Sequence, residues 1–245
     1  MVEGYNIWMT NSDEAINVVV GRGGIARQLA TLLLDRGEQV LILARGAAEG
    51  LDAPSKLLDF EKPETIAAAF GEILVPIKRV LICTGILHGN GEWGPERQWS
   101  ELDAEILGRY FQVNTIGPSI VAKYALPKMS KDQRSIFCAF SARVSSISDN
   151  RLGGWYGYRS SKTALNMMLK NLAIEARRKR PKSIIIGYHP GTVDTALSKP
   201  FQRNVKPEKL FSPEFAADAC LKVIDDLKAE DSGKLFDWQG LVIEP

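Results

Sequence analysis

The sequence predicts an α/β fold: a doubly wound parallel sheet of about seven strands with helices on both faces. Three observations carry it. Short runs of Val, Ile and Leu recur along the chain, as in strands buried on both faces. Helical stretches alternate with these runs, which favours parallel crossover units. The first run, Ala15–Val20, passes directly into the glycine-rich turn Gly21-Arg22-Gly23-Gly24-Ile25-Ala26 and then into a helix. That order places phosphate groups at a helix N-terminus.

The remaining elements follow the same alternation. The first helix runs over Arg27–Arg36 and is closed by Gly37. Strands are expected over Gln39–Ala44, Leu57–Phe60, Arg79–Cys83, Ser135–Phe140, Ser183–Tyr188 and Gly233–Trp238. Helices are expected over Pro63–Ile73, Glu101–Lys128, Trp155–Arg178 and Pro213–Leu227, two of them with proline in the first turn. Residues 1–14 are patternless and read as a leader or an extra short strand. Residues 15–245 then form one nucleotide-binding domain, with a proline-containing polar segment at 199–210 as a mobile substrate loop.

Composition narrows the function. The chain has 245 residues, 45% hydrophobic and 24% charged, with a net charge of +2. This is ordinary globular composition and gives no ground for a polyanionic partner. The cluster Arg177–Arg180 closes a helix, where the dipole favours cations, so no nucleic acid is expected. No run of eighteen apolar residues and no signal sequence is visible, so a cytoplasmic protein without a membrane span is expected. Cys83, Cys138 and Cys220 read as reduced buried thiols. His88 and His189 have no partners at metal-ligand spacing, so no metal is expected.

The chemistry centres on Tyr158-Arg159-Ser160-Ser161-Lys162. Tyrosine and lysine four apart share a helix face. An ammonium beside a phenol lowers a pKa that starts near 10, giving a proton donor and acceptor usable near neutrality. The same spacing at Tyr124 and Lys128 encloses a proline and lacks an upstream serine. Strand-end residues Gly21, Arg45, Asp59 and Gly85 would converge at the crevice of such a sheet. Arg45, at the end of the second strand, stands where an acid would favour NAD. With Arg22 it favours a 2′-phosphate, and so NADP(H) over NAD(H).

Together these features resemble the short-chain dehydrogenase/reductase family, and within it the C-factor-type and sniffer-type carbonyl reductases. The match spans Ile16 to Gly240. Its closest stretches are Ser141–Asn150, Gly153–Tyr158 and Ser161–Asn166. The resemblance implies a Rossmann-like fold and hydride transfer between nicotinamide and a small carbonyl or alcohol substrate. Tyr158 would be the general acid and base. Lys162 would hold the nicotinamide ribose and lower the tyrosine pKa, and Asn114 would hold a water leading to Lys162. Cofactor contacts would come from Gly21, Arg22, Gly24, Ile25, Arg45, Asp59, Phe60, Thr84, Gly85, Tyr158, Lys162, Pro190, Gly191, Val193 and Thr195. A homodimer or homotetramer is implied as well.

The chain departs from the family pattern in three places. The glycine turn is one residue short. The family's Asn-Asn-Ala-Gly stands here as Ile82-Cys83-Thr84-Gly85. The catalytic serine is Ser141 or Ser145, because counting back from Tyr158 lands on Ala142. These departures leave a second reading open, a nucleotide-binding signalling or regulatory protein of the same fold with little or no catalysis.

Overall fold

The computed structural model describes residues 15–46, 50–89 and 91–245. The expected leader or extra strand at residues 1–14 lies outside them. Strands β1 (Ile16–Val20), β2 (Val40–Ala44), β3 (Ser55–Leu57), β4 (Ile77–Ile82), β5 (Ser135–Phe140) and β6 (Ser183–His189) alternate with helices. Helices α1 (Gly24–Asp35), α2 (Pro63–Gly71), α3 (Ala104–Phe111), α4 (Gly117–Ala125), α5 (Tyr156–Lys179) and α6 (Pro213–Asp226) are the main ones. Short strands β7 (Thr192–Val193), β8 (Leu210–Phe211), β9 (Leu235–Asp237) and β10 (Val242–Ile243) complete the set.

Among the described residues the main sheet has eight strands in the order β10-β9-β6-β5-β4-β1-β2-β3. The expected seven are all present and parallel. The eighth, β10, pairs antiparallel with β9 and makes the sheet mixed. It is two residues long, too short for a period-2 pattern to reveal it. The third strand also sits earlier than expected, at Ser55–Leu57 rather than Leu57–Phe60. Asp59 instead joins a turn with Lys62, in which Thr65 Oγ1 accepts from the Asp59 amide.

Period-2 alternation divides the strands between two cores. Ile16, Val18 and Val20 of β1 face the layer of α2, α4 and α5, with Phe70, Val121, Leu165 and Leu169. Val19 faces the layer of α1 and α6, with Leu29, Leu33, Leu221 and Ile224. Both faces are therefore covered by apolar side chains, with Asn17 and Arg79 as a buried polar pair on the sheet. The strand order reverses between β1 and β4, so a crevice opens at their carboxyl ends.

The expected helix Glu101–Lys128 is not continuous. It starts at Ala104, where Asp103 accepts from the amides of Glu105 and Ile106. A π-helical turn, Gln112–Ile116, then separates α3 from α4. Periodicity does not reveal this extra residue in one turn. The 199–210 segment is likewise ordered into 3₁₀ turns at Lys199–Asn204 and Pro207–Lys209 before β8, which pairs with β7.

Gly117, just after the π turn, lies directly against Phe60. A β-carbon there would stand 2.3 Å from Phe60 Cγ. Gly117→Ala is expected to destabilise the protein by about 1–3 kcal/mol through overpacking. Urea unfolding midpoints check this, and an unchanged midpoint would show that Phe60 is free to move.

Candidate functional site

The crevice at the β1–β4 switch point is a cleft of about 590 Å³. Ten of the residues singled out for the cofactor line it: Gly21, Arg22, Gly24, Ile25, Arg45, Asp59, Phe60, Thr84, Gly85 and Thr195. Gly21 has φ +132°, and a β-carbon on it would lie 3.1 Å from Thr84 Oγ1. Glycine is therefore required there by conformation and by space. Gly23 precedes α1 and no side chain caps the first amides of that helix. Gly24 lets the start of α1 rest on Pro213, 3.1 Å from where its β-carbon would be. The Arg22 guanidinium comes within 2.9 Å of the β-carbon position of Gly46, just past β2, and Arg22 and Arg45 both line the cleft.

The other candidates stand beside the cleft. Lys162 is 3% exposed, and its Nζ donates to the Phe140 carbonyl at the end of β5 over 2.7 Å. A β-carbon on Gly85 would lie 3.3 Å from Lys162 Nζ and 3.2 Å from Asn114 Oδ1. Gly85 is what allows the end of β4, the π turn and α5 to meet. The fully buried Asn114 amide accepts from the Ile86 amide and donates to the Ile86 carbonyl and to Ser161 Oγ. Tyr158, one turn before Lys162, is packed edge-on by Tyr110 at 6.3 Å and Trp155 at 6.2 Å. Pro190, Gly191 and Val193 do not line the cleft. They carry the chain from β6 into β7, where Gly191 (φ +78°) passes under Phe211.

Comparison with known proteins assigns the chain to a family. The model of the short chain dehydrogenase family matches residues 14–206. The chain belongs to this family. It is 30% identical over 239 residues to 1-hydroxy-2-glutathionyl-2-methyl-3-butene dehydrogenase of Rhodococcus sp. strain AD45, covering 93% of this chain and 98% of that one. It is 29% identical over 163 residues to C-signal of Myxococcus xanthus, covering 65% of this chain and 93% of that one. A solved structure of NADPH-bound carbonyl reductase from chicken fatty liver shares the fold, with TM-score 0.79 and 19% identity over 95% of this chain and 100% of that one.

In this short-chain dehydrogenase the two candidate serines, Ser141 and Ser145, are both tied into hydrogen bonds with Asn166. Ser141 Oγ donates to Asn166 Oδ1 over 2.7 Å. Asn166 Nδ2 donates to Ser145 Oγ, which itself donates to the Ala142 carbonyl. Both hydroxyls therefore fasten the β5–α5 connection to α5. Ala142, between them, packs in a buried apolar cluster with Tyr158, Tyr110 and Leu87. The direction of the Tyr158 pKa differs from the expectation. Burial pushes the phenol up to about 12 and draws Lys162 down to about 7. Desolvation outweighs mutual stabilisation, because a lysine drawn toward its neutral form has little charge to offer a phenolate.

Sequence reasoning missed Glu96. It is 3% exposed, and its Oε2 accepts from the Gly157 amide while its backbone carbonyl accepts from the Trp155 amide. It therefore holds the start of α5, where Gly157 leaves room for Tyr110, 2.4 Å from a β-carbon there. No spacing rule connects Glu96 to that helix; Gly157, immediately before Tyr158-Arg159-Ser160, was the only signal.

The buried lysine makes stability pH-dependent. Its folded pKa of about 7 lies below the ordinary 10.5. Between these values the unfolded chain binds the proton and the folded chain does not, so stability rises with pH, by at most about 1.4 kcal/mol per unit. Wild type should gain on Lys162→Met from pH 7 to 10 in denaturant unfolding. Parallel pH profiles of the two proteins would refute this.

Proposed function

We propose that this chain is an NADP(H)-dependent oxidoreductase that interconverts a carbonyl compound and its alcohol, with Tyr158 as proton donor and acceptor. The convergence of Tyr158, Lys162, Asn114 and Gly85 beside a glycine-lined cleft carries the reading. The residues fit a dinucleotide. Uncapped amides at the start of α1 suit a pyrophosphate. The close backbone approach at Gly21 and Gly85 suits the dinucleotide itself, and the Arg22–Arg45 pair suits a 2′-phosphate. A bound nicotinamide would supply or accept the hydride.

The chain's own residues would do the rest. Tyr158 Oη would give its proton to the carbonyl oxygen in reduction and take one back in oxidation. Lys162, anchored on Phe140, would hold ribose hydroxyls, and nearby anionic groups would favour its charged form. The ordered 199–210 segment would bound the substrate, with Phe201 against Trp155 at 5.2 Å. The Rhodococcus relative, by name a dehydrogenase of a 1-hydroxy compound, supports the alcohol/carbonyl class.

The bonding of Ser141 and Ser145 away from Tyr158 favours a second reading, a nucleotide-binding regulatory protein with little turnover. Tight NADPH binding with no oxidation across a panel of aldehydes and ketones would select it.

Tyr158→Phe is expected to lower kcat at least about 10²-fold with the NADPH dissociation constant unchanged. Undiminished turnover would remove Tyr158 from the chemistry. Arg45→Ala is expected to lower the NADPH-to-NADH affinity ratio about tenfold, the scale of one charge-assisted contact. Isothermal titration with both nucleotides reads that ratio, and an unchanged value would overturn the NADP(H) preference.

A further inference from the structure

Trp155 is the wall of a second hollow. Its ring stacks edge-on to Tyr158 at 6.2 Å and to Phe201 at 5.2 Å, and it also lines a space of about 770 Å³. Pro95, Pro200 and Phe201 give that space further apolar walls, and Arg97, Glu101 and Arg203 give it charge. Glu101 Oε2 accepts from the backbone amide of Arg97 over 2.8 Å. Among the described residues, the Arg97 and Arg203 guanidinium groups make no ion pair or side-chain hydrogen bond. The hollow thus holds two uncommitted guanidinium groups against one carboxylate. A planar guanidinium is the natural bidentate partner of a carboxylate.

The wall itself is held under strain. Trp155 has φ +54°, the only positive φ of a non-glycine residue among those described. A bulky residue keeps that conformation only where its surroundings impose it. Here Glu96 imposes it, accepting the Trp155 amide with its carbonyl and the Gly157 amide with its carboxylate. The indole is thereby fixed between Tyr158 and the arginine-lined hollow.

We propose that this hollow is the outer subsite of the substrate pocket, and that it takes the carboxylate of an anionic carbonyl substrate whose apolar body lies on Trp155 and Phe201. This rests on the reductase reading. The probes are 5-oxo-5-phenylpentanoate and its methyl ester, which share the ketone and differ in charge. With NADPH the acid should show the lower KM. The Arg97→Gln/Arg203→Gln variant should raise the acid's KM about tenfold or more and leave its kcat and the ester's KM within about twofold. Equal KM values in wild type, or a variant that moves both substrates alike, overturn the subsite. Calorimetric titration of both compounds, with and without NADP⁺, separates the two proposals. Selective binding of the acid, lost in the variant but without turnover, keeps the subsite and removes the reductase reading. Turnover without preference for the acid does the reverse, and neither binding nor turnover overturns the subsite.

Discussion

The buried Lys162 ammonium sets the terms for the site. A cation removed from water needs acceptors at close range, or it gives up its proton. Here one backbone carbonyl, that of Phe140, accepts from it, and burial draws its pKa toward neutrality. Everything near it is arranged to let that side chain reach the end of β5. Gly85 omits a side chain that would collide with Nζ. The π turn brings Asn114 to the Ile86 backbone, satisfying an amide and a carbonyl just past β4. Thr115 Oγ1 donates to the Ser161 carbonyl on α5. Strand ends packed between two apolar cores make these approaches repeatable, which a loop-borne site would not.

Much of this was legible because it depends on local rules. Strand, glycine turn and helix are local, and they placed Gly21, Gly24 and Ile25 on the cleft. The i, i+4 spacing of Tyr158 and Lys162 is local too. The π turn was not legible: Asn114 sits in what reads as one helix, and only its bonds to Ile86 and Ser161 show why the helix widens. Nor was Glu96, whose role depends on a loop meeting the start of α5 from far along the chain.

The serine question shows where spacing fails. Adjacent residues at a strand end point to opposite faces, so a shift of one position exchanges partners completely. Ser141 turns to Asn166 and Ala142 shares the Tyr158 cluster. Counting from the strand favoured Ser141; counting from Tyr158 landed on Ala142. Both counts are arithmetically sound, and spacing alone does not decide between them.

Under the proposed function the bonding of these serines and the burial of Tyr158 act together. With Ser141 Oγ donating to Asn166 and Ser145 Oγ to the Ala142 carbonyl, either hydroxyl would have to leave that bond to serve the oxygen developing negative charge, where a missing donor costs about 3 kcal/mol in comparable sites. The remaining donor is a phenol whose pKa burial lifts to about 12. Such a phenol stays protonated throughout the neutral range, and its pKa lies far from the value at which a general acid or base works best. The same apolar enclosure of Tyr110, Trp155 and Leu87 disfavours the phenolate, the form that accepts a proton in oxidation, and weakens the phenol as the acid needed in reduction. Charge on Lys162 opposes that effect, because an ammonium one helical turn away stabilises the phenolate. The protonation of Tyr158 then depends on how much anionic charge is brought near Lys162, which ties it to occupancy of the neighbouring cleft.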